Sequence, residues 1–381
     1  MKLSTSHILT THVGSLPRTG PIADLLIRKE KGEPYDQAEF DKAMHDAVVD
    51  VVKKQAATGI DVVSDGETSK IGYATYIKDR LAGFGGENQA KPHLDLRDHP
   101  DLRKRMVAFT GPQTFKRLCC VGPISITDHE AVHQDIANFR DALKQVKVAD
   151  AFMNAASPGI VSSFQPNQYY PSHDAYIEAI AAVMQEEYEA IHAAGLLLQV
   201  DCPDLAMSRH TGFQDLSEAQ FLQRAEQQVE MLNHALRNIP ATAIRMHICW
   251  GNYEGPHDHD IALEKIMRVV LMAKPQAISF EASNPRHAHE WKVWRDAKIP
   301  DDKVLMPGVI DSSTNFVEHP ELVAQRIERF AEIVGRERVL ASSDCGFGTF
   351  AGYGKVDPDI AYKKLKSLVD GAAIATRRLW G

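Results

Sequence analysis

The sequence predicts a single (β/α)8 barrel of the α/β class, a TIM barrel with an insertion between its second and third strands. Three observations carry that expectation. A chain of 381 residues exceeds one small module and suits either one large barrel or two ordinary domains. Short apolar, β-branched runs alternate with longer stretches of helical periodicity, the signature of βα units around a parallel sheet. The residues that end these runs are polar, as expected where a parallel barrel carries its chemistry at the C-terminal ends of its strands.

The runs are Ile8 to Val13, Ile60 to Ser64, Ala151 to Ala155, Leu196 to Val200, Ala243 to Cys249, Ala277 to Phe280, Val304 to Ile310 and Arg338 to Ser342. Helices are expected between them over Gln37 to Thr58, Ser172 to Ala194, Ser217 to Arg237, His259 to Ala273 and Glu318 to Val334, the last led by a His-Pro that opens helices well. Leu81 to Ile126 breaks the alternation, with Gly-Gly, a charged segment and the apolar run Leu118 to Ile126. It reads as an insertion of extended structure lying over the barrel mouth. No linker-like composition divides the chain, so residues 1–381 are expected to form one catalytic domain. A doubly wound sheet is the structural alternative, but no Gly-x-Gly-x-x-Gly or phosphate loop follows any run.

Composition narrows the function classes. Hydrophobic residues at 44% and charged residues at 25% exclude a disordered or fibrous chain. A net charge of -8 gives no support to an extended nucleic-acid surface and favours small-molecule partners. Five cysteines are too few, and odd in number, for a secreted disulfide framework, and 17 histidines make metal binding worth pursuing. No run approaches the ~20 apolar residues of a membrane span, and the N-terminus has no signal-peptide pattern, so the expected location is the cytoplasm.

The run ends supply the candidate site. They are His12-Val13-Gly14-Ser15, Ser64-Asp65-Gly66-Glu67, Asp201-Cys202-Pro203-Asp204, His247-Ile248-Cys249, Glu281, Asp311 and Ser343-Asp344-Cys345-Gly346. A spacing of two on a strand puts His247 and Cys249 on one face of the sheet, where both can reach one ion. Zinc takes nitrogen and thiolate ligands, and Cys345 and Glu281 could complete its shell. The bland alternative is that the thiols are buried small hydrophobes, which is the reading adopted for Cys119, Cys120 and Cys202. His257 and His259, in a polar loop, are expected to be solvated. Glu67 and Asp201 suit either caps and salt bridges or a pair that binds an ammonium group.

At these residues the sequence resembles the cobalamin-independent methionine synthase family, specifically its catalytic C-terminal half. Thr10-Thr11-His12-Val13-Gly14-Ser15-Leu16-Pro17-Arg18-Thr19 is similar to that family's opening motif, Gly66-Glu67 to its Gly-Glu motif, and Val200-Asp201-Cys202-Pro203 to its Ile-Asp-Glu-Pro motif. His247, Cys249, Glu281 and Cys345 fall in the order of its zinc ligands. The resemblance implies that these four bind Zn2+, with the glutamate yielding to an incoming sulfur. It also implies that Ser15, Glu67 and Asp201 hold the amino and carboxyl groups of homocysteine. Asp311 and His12 are the catalytic candidates, and Phe164 is the candidate aromatic against the methyl donor. The family's full-length members carry a second, N-terminal barrel that this sequence lacks. Ile310-Asp311-Ser312-Ser313 stands where the family has Tyr-Asp-Ile-His, and Phe347-Gly348-Thr349-Phe350 stands where it has Leu-Lys-Thr-Arg. These departures leave the thiol half intact and concern the donor.

The function expected is therefore a zinc-dependent S-methyltransferase, similar to 5-methyltetrahydropteroyltriglutamate-homocysteine S-methyltransferases, that makes methionine. A free thiol has a pKa near ~8.5, whereas coordination to zinc deprotonates it. The donor could be methyltetrahydrofolate, a methylated corrinoid protein or another methyl compound. One alternative is an enzyme like epoxyalkane:coenzyme M transferase, with Arg18 and Arg209 receiving a sulfonate. Another is a uroporphyrinogen decarboxylase-like enzyme needing no metal. A non-enzymatic zinc or thiol carrier is the third.

Overall fold

Each of the eight predicted runs forms a parallel strand, and the Leu81 to Ile126 stretch contributes a separate hairpin. The computed structural model describes residues 1–89, 91–110 and 115–381. In chain order the strands are β1 (Leu9–Thr10), β2 (Val62–Ser64), β3 (Leu81–Gly85), β4 (Cys119–Ile126), β5 (Asp150–Ala156), β6 (Leu197–Asp201), β7 (Ile244–His247), β8 (Ala277–Phe280), β9 (Val304–Ile310) and β10 (Leu340–Ser343). The sheet runs β1-β10-β9-β8-β7-β6-β5-β2, with every neighbour parallel. Strands covered on both faces need not alternate polar and apolar residues, which is why they were readable as β-branched runs.

The ring closes between β1 and β2 through a side chain instead of a full ladder. The Asp61 amide donates to the Thr10 carbonyl at 3.2 Å, and the Asp61 carboxylate accepts from the Thr10 amide at 2.9 Å and its hydroxyl at 2.8 Å. The Thr11 hydroxyl then donates to the Val62 carbonyl at 3.1 Å.

Register stacks the barrel interior in layers. Leu9, Val62, Phe152, Leu197, Ala277, Val304 and Leu340 form an apolar floor. Above it Asn154, Gln199 and Arg245 are register partners on β5, β6 and β7, and one residue pair higher Asp201, His247 and Ser279 are partners on β6, β7 and β8. The Arg245 guanidinium lies 3.8 Å from the Phe152 ring centre and donates to the Thr11 hydroxyl at 2.9 Å and the His12 carbonyl at 2.7 Å. Two hydrogen bonds and the Phe152 ring face offset the burial of this cation, whose Nε has no partner and whose pKa burial lowers to about 9.

The outer helices follow their predicted spans. Asp36 caps Gln37–Thr58 by accepting from the Glu39 amide, and Gly59 at φ 97° ends that helix. Ser172 caps His173–Ala193, and Ser217 with Gln220 forms a capping box on Glu218–Ala235. Pro320–Val334 starts after His319. One boundary differs: the helix expected from His259 begins at Leu263, because His257 and Asp260 are folded into a buried cluster.

In the stretch 81–126, β3 and β4 pair antiparallel, and helices Leu94–Asp98 and Pro100–Thr110 lie between them. Residues 90 and 111–114 of the predicted insertion lie outside the described residues. Asp95 accepts from the Tyr253 hydroxyl at 2.6 Å and the His257 amide at 3.1 Å, so this segment rests on the loop after β7. Cys119, Cys120 and Cys202 are buried thiols. Among the described residues no helix is long and apolar enough to cross a membrane.

Candidate metal centre and thiol site

His247 ends β7 and points into the barrel, with Nδ1 3.3 Å from the Ser279 hydroxyl and Nε2 buried without a hydrogen-bond partner. Burial, with help from the Arg245 charge, lowers its pKa to about 3, so the ring is a neutral imidazole with a lone pair to offer. Two residues on, Cys249 Sγ lies 3.7 Å from Cys345 Sγ and accepts from the Gly251 amide at 3.2 Å. The thiol of Cys249 is pushed well above the usual range by the Cys345 thiol beside it and by burial. A cation between the sulfurs would reverse that preference. One ligand atom from each of His247, Cys249 and Cys345 lies within 4.8 Å of the other two. One orphaned imidazole nitrogen and two touching thiols form a donor set that suits zinc.

Glu281, the fourth expected ligand, is buried at the end of β8 but stands outside this three-residue group. Its Oε1 accepts from the Trp250 amide at 2.7 Å and its Oε2 from Asn284 Nδ2 at 2.7 Å. Burial, then the neighbouring Cys249, pushes the carboxyl well above the usual range. The sequence reading missed Asp344 as its organiser. Asp344 accepts from the Ala282, Ser283 and Asn284 amides at 2.8, 2.9 and 2.9 Å and from Asn284 Nδ2 at 3.1 Å, tying the loop after β8 to the loop that carries Cys345.

Beside the metal candidates lie two buried carboxylates. Asp201, the register partner of His247, accepts from Gln199 Nε2 at 2.8 Å and Asn154 Nδ2 at 2.9 Å. Glu67 is 2% exposed and its Oε2 has no partner. It occupies φ 52°, a left-handed conformation costing a non-glycine residue ~1–2 kcal/mol, held because Arg18 fastens the loop. Arg18 donates to the carbonyls of Glu67 at 2.5 Å, Lys70 at 2.8 Å, Thr68 at 3.3 Å and Gly348 at 2.5 Å. Both carboxyls are pushed up: burial acts first on each, and Asp201 adds to the effect on Glu67. Lys70 opposes both, while its Nζ donates to the Asn154 carbonyl at 2.6 Å. Ser15 is brought to the same place, since a Cβ on Gly346 would overlap its hydroxyl and its carbonyl accepts from the Phe347 amide at 2.8 Å.

Phe164 lies on an aromatic wall. Tyr73 makes an edge contact with it at 5.7 Å and touches Phe350 at 5.7 Å, and Phe350 stacks on Phe115 at 4.3 Å. The hydroxyl of Tyr73, a residue the sequence reading did not single out, is pushed well up by burial and then by the charges of Cys249, Cys345 and Asp201. Phe350 belongs to the Phe347-Gly348-Thr349-Phe350 stretch that departs from the family's Leu-Lys-Thr-Arg, as read from the sequence.

Three expectations are corrected. His12 is not poised for catalysis: it is fully buried, its Nε2 lies 2.7 Å from Gln55 Oε1, its Nδ1 accepts from the Gly14 amide at 3.1 Å, and its ring packs on Phe152 of the floor. Burial lowers its pKa to about 4, as for a packed neutral imidazole. His257 is not solvated; it is buried against Asp260 at 2.9 Å. Arg18 has no free face for a sulfonate, its donors being taken by carbonyls. Asp311 is retained at the end of β9, but both its oxygens are engaged by Ser313 and Thr314, with contacts of 2.8 to 2.9 Å to Ser313 and 2.5 to 2.8 Å to Thr314.

The chain matches the family model described as "Cobalamin-independent synthase, Catalytic domain" over residues 8–91 and 159–373. A methionine synthase of Saccharolobus islandicus (strain L.S.2.15 / Lassen #1) is 25% identical over 382 residues, covering 97% of this chain and 95% of the relative. One from Sulfolobus acidocaldarius is 23% identical over 374 residues, covering 97% and 93%. Among solved structures, a B12-independent methionine synthase from Shewanella sp. W3-18-1 in complex with selenomethionine superposes with a TM-score of 0.72 at 21% identity, covering 98% of this chain and 99% of that one. That likeness is one of fold. The family model spans well over half of the residues and both halves of the site, and the chain belongs to the cobalamin-independent synthase catalytic-domain family.

Proposed function

We propose that this protein is a zinc-dependent S-methyltransferase that takes homocysteine as acceptor and yields methionine. The observation that carries the reading is the adjacency of two unmet needs. The His247, Cys249 and Cys345 donors converge with the His247 Nε2 lone pair unpartnered, and beside them stand two carboxyls, Asp201 in register with His247 and Glu67 with an unpartnered Oε2, both raised by burial in spite of Lys70. An amino-acid thiol with a metal ion meets both. Zinc, when bound, would supply the charge that holds the acceptor sulfur as a thiolate at neutral pH. Glu281 is the reserve ligand of the reading, held by Trp250 and Asn284 within reach of the cluster's edge.

The chain's own groups do the rest. Glu67 and Asp201 receive the α-ammonium, which relieves the repulsion each carboxylate suffers from the other. Asn154 and Gln199 fix the Asp201 plane, so the ammonium and hence the sulfur are positioned before reaction. Ser15 offers its hydroxyl on the side of Cys345. Tyr73, Phe164 and Phe350 exclude water and present ring faces to a flat methyl donor. The methyl carbon forms its bond to the acceptor sulfur as its bond to the donor breaks, and the donor nitrogen leaves with that electron pair and takes up one proton, balancing the proton the acceptor thiol releases on becoming a thiolate. We assign the donor to a small methyl compound, methyltetrahydrofolate first. A corrinoid protein draws no support from a family described as cobalamin-independent.

The test is metal quantification on the purified protein, followed by assays with homocysteine and methyltetrahydrofolate of differing glutamate length, then methylcobalamin. Zinc-dependent methionine formation is expected, with Cys249→Ser and Cys345→Ser losing the metal of this site and the activity. Full metal retention at the site in both variants, or thiol and zinc uptake without product from any donor, would reject the reading.

A further inference from the structure

We propose that His210, His257, Asp260 and His287 form a second site for a divalent transition-metal ion of the zinc type, behind the thiol site and structural in role. Asp260 and His287 are almost wholly buried and His257 nearly so. Their ligand atoms, one each from His257, Asp260 and His287, lie within 4.8 Å of one another.

The hydrogen bonds around the cluster fix which ring nitrogens are free. His257 Nε2 lies 2.9 Å from the Tyr253 carbonyl, which can only accept, so Nε2 carries the proton and the Nδ1 lone pair faces Asp260 Oδ2 at 2.9 Å. His287 Nδ1 lies 2.8 Å from Glu290 Oε2, so Nδ1 carries the proton and the Nε2 lone pair faces the same Asp260 oxygen at 3.0 Å. Glu290 is itself held in place, its other oxygen accepting from the Leu263 amide at 2.8 Å. Metal-binding histidines are supported in this way, their second ring nitrogen donating to a carbonyl or carboxylate that orients the ring.

His210 supplies the independent observation. It is fully buried, and its Nδ1 stands 3.3 Å from Asp260 Oδ1, yet neither atom has a hydrogen-bond partner. A proton shared between them would align them as donor and acceptor. Two ligands of one ion need no such alignment, only the edge of a coordination polyhedron, which is ~3.3 Å for tetrahedral bonds of ~2.0 Å. The other ring nitrogen of His210 lies 3.5 Å from the Tyr253 hydroxyl, which donates to Asp95 and so leaves its oxygen to accept. Ligand atoms of His257, Asp260 and His287 thus converge, with His210 Nδ1 beside the other oxygen of Asp260, and one divalent ion bound by the three would leave His210 to close the shell from that side.

With His210 as the fourth ligand beside the grouped three, no position is left open, which defines a structural site. Its ligands come from the loops after β6, β7 and β8, and through Asp95 it reaches the 81–126 stretch. Trp250, whose amide holds Glu281, packs on the His287 ring at 4.4 Å, so the ion would brace the loops carrying Cys249 and Glu281 from behind.

The experiment is elemental analysis with cobalt substitution on the full chain. Protein as isolated is expected to hold two metal equivalents, the Cys249→Ala/Cys345→Ala variant one, and His257→Gln/His287→Gln one. Titration of the metal-free wild type with Co2+ should fill two classes of site, one with thiolate-to-cobalt charge-transfer absorption and one showing only ligand-field bands. The cobalt spectrum decides the matter even where the histidine variant fails to fold. A single class of site with thiolate absorption, or no metal in the cysteine variant, overturns the proposal. Absence of the thiolate-absorbing class alone, with the ligand-field class still filled, would instead count against the thiol-site reading, so the two failures are distinguishable.

Discussion

Replacing Asp201 by Asn separates substrate binding from metal binding, and the structure sets the size of the effect. Asp201 accepts one hydrogen bond on each oxygen, from Gln199 Nε2 and Asn154 Nδ2. An asparagine keeps one acceptor and turns an NH2 toward the other donor, leaving one buried amide unmet at a cost of ~1–3 kcal/mol in bound and free states alike. That part cancels in binding. The part that does not cancel is the lost carboxylate opposite the ammonium: breaking a buried ion pair costs ~3–5 kcal/mol, and Glu67 remains to carry a share. The lower end, ~3 kcal/mol, corresponds to homocysteine binding weakened on the order of 100-fold. The assay is calorimetric titration with homocysteine on samples whose metal content is measured in parallel. Metal content should match the wild type, because neither oxygen of Asp201 belongs to the His247, Cys249 and Cys345 group. Affinity within ~3-fold of wild type at normal metal content would remove the ammonium role from Asp201.

Two further outcomes follow from neighbouring features. Gly14 lies at φ 140°, and a Cβ there would overlap the Asn154 carboxamide, so Gly14→Ala should cost ~2 kcal/mol in urea unfolding and also weaken homocysteine binding by displacing the support of Asp201; a stability loss with unaltered binding would uncouple Asn154 from the site. Asp204, bonded to the Ser157 hydroxyl at 2.6 Å, is pushed by burial from an ordinary 3.8 up to about 7. The folded state holds this proton more tightly than the unfolded state, so the group's contribution is most favourable below the unfolded value and is lost as pH rises toward 7. The interval from 3.8 to about 7, at ~1.36 kcal/mol per pH unit, amounts to ~4 kcal/mol. Asp204→Asn should therefore gain on the wild type by ~3 kcal/mol between pH 5 and pH 8 in urea unfolding, and parallel pH profiles would refute this.

Much of the fold was readable because a parallel barrel writes each buried strand as a short β-branched run. The metal candidates were readable because residues two apart on a strand share a face, which put His247 and Cys249 together before Cys345 was found opposite. The strand interiors held a further signal that went unused: Asn154, Gln199 and Arg245 are polar residues inside apolar runs, and all three form the layer beneath the site. Tyr73, Asp344 and the His210, His257 and His287 cluster were not legible, because loops from different βα units meet there and no local period records such meetings. His12 misled for the converse reason. A polar residue at a strand end suggests chemistry, but whether its ring nitrogens are free depends on Gln55, far along the chain and on a helix.

The way the ring closes has a mechanical consequence. His247 and Cys249, Glu281 and Cys345 follow β7, β8 and β10, which belong to one unbroken run of backbone pairing from β5 through β10. Ser15 and Glu67 follow β1 and β2, on either side of the joint that Asp61 and the threonines fasten with side chains. A hoop with one soft joint gives way there first. Above that joint the Leu16 amide donates to the Gly66 carbonyl at 3.1 Å and Arg18 holds the Glu67 carbonyl, so loosening at Asp61 would carry Ser15 and Glu67 together as one lip while the three sulfur and nitrogen donors keep their spacing.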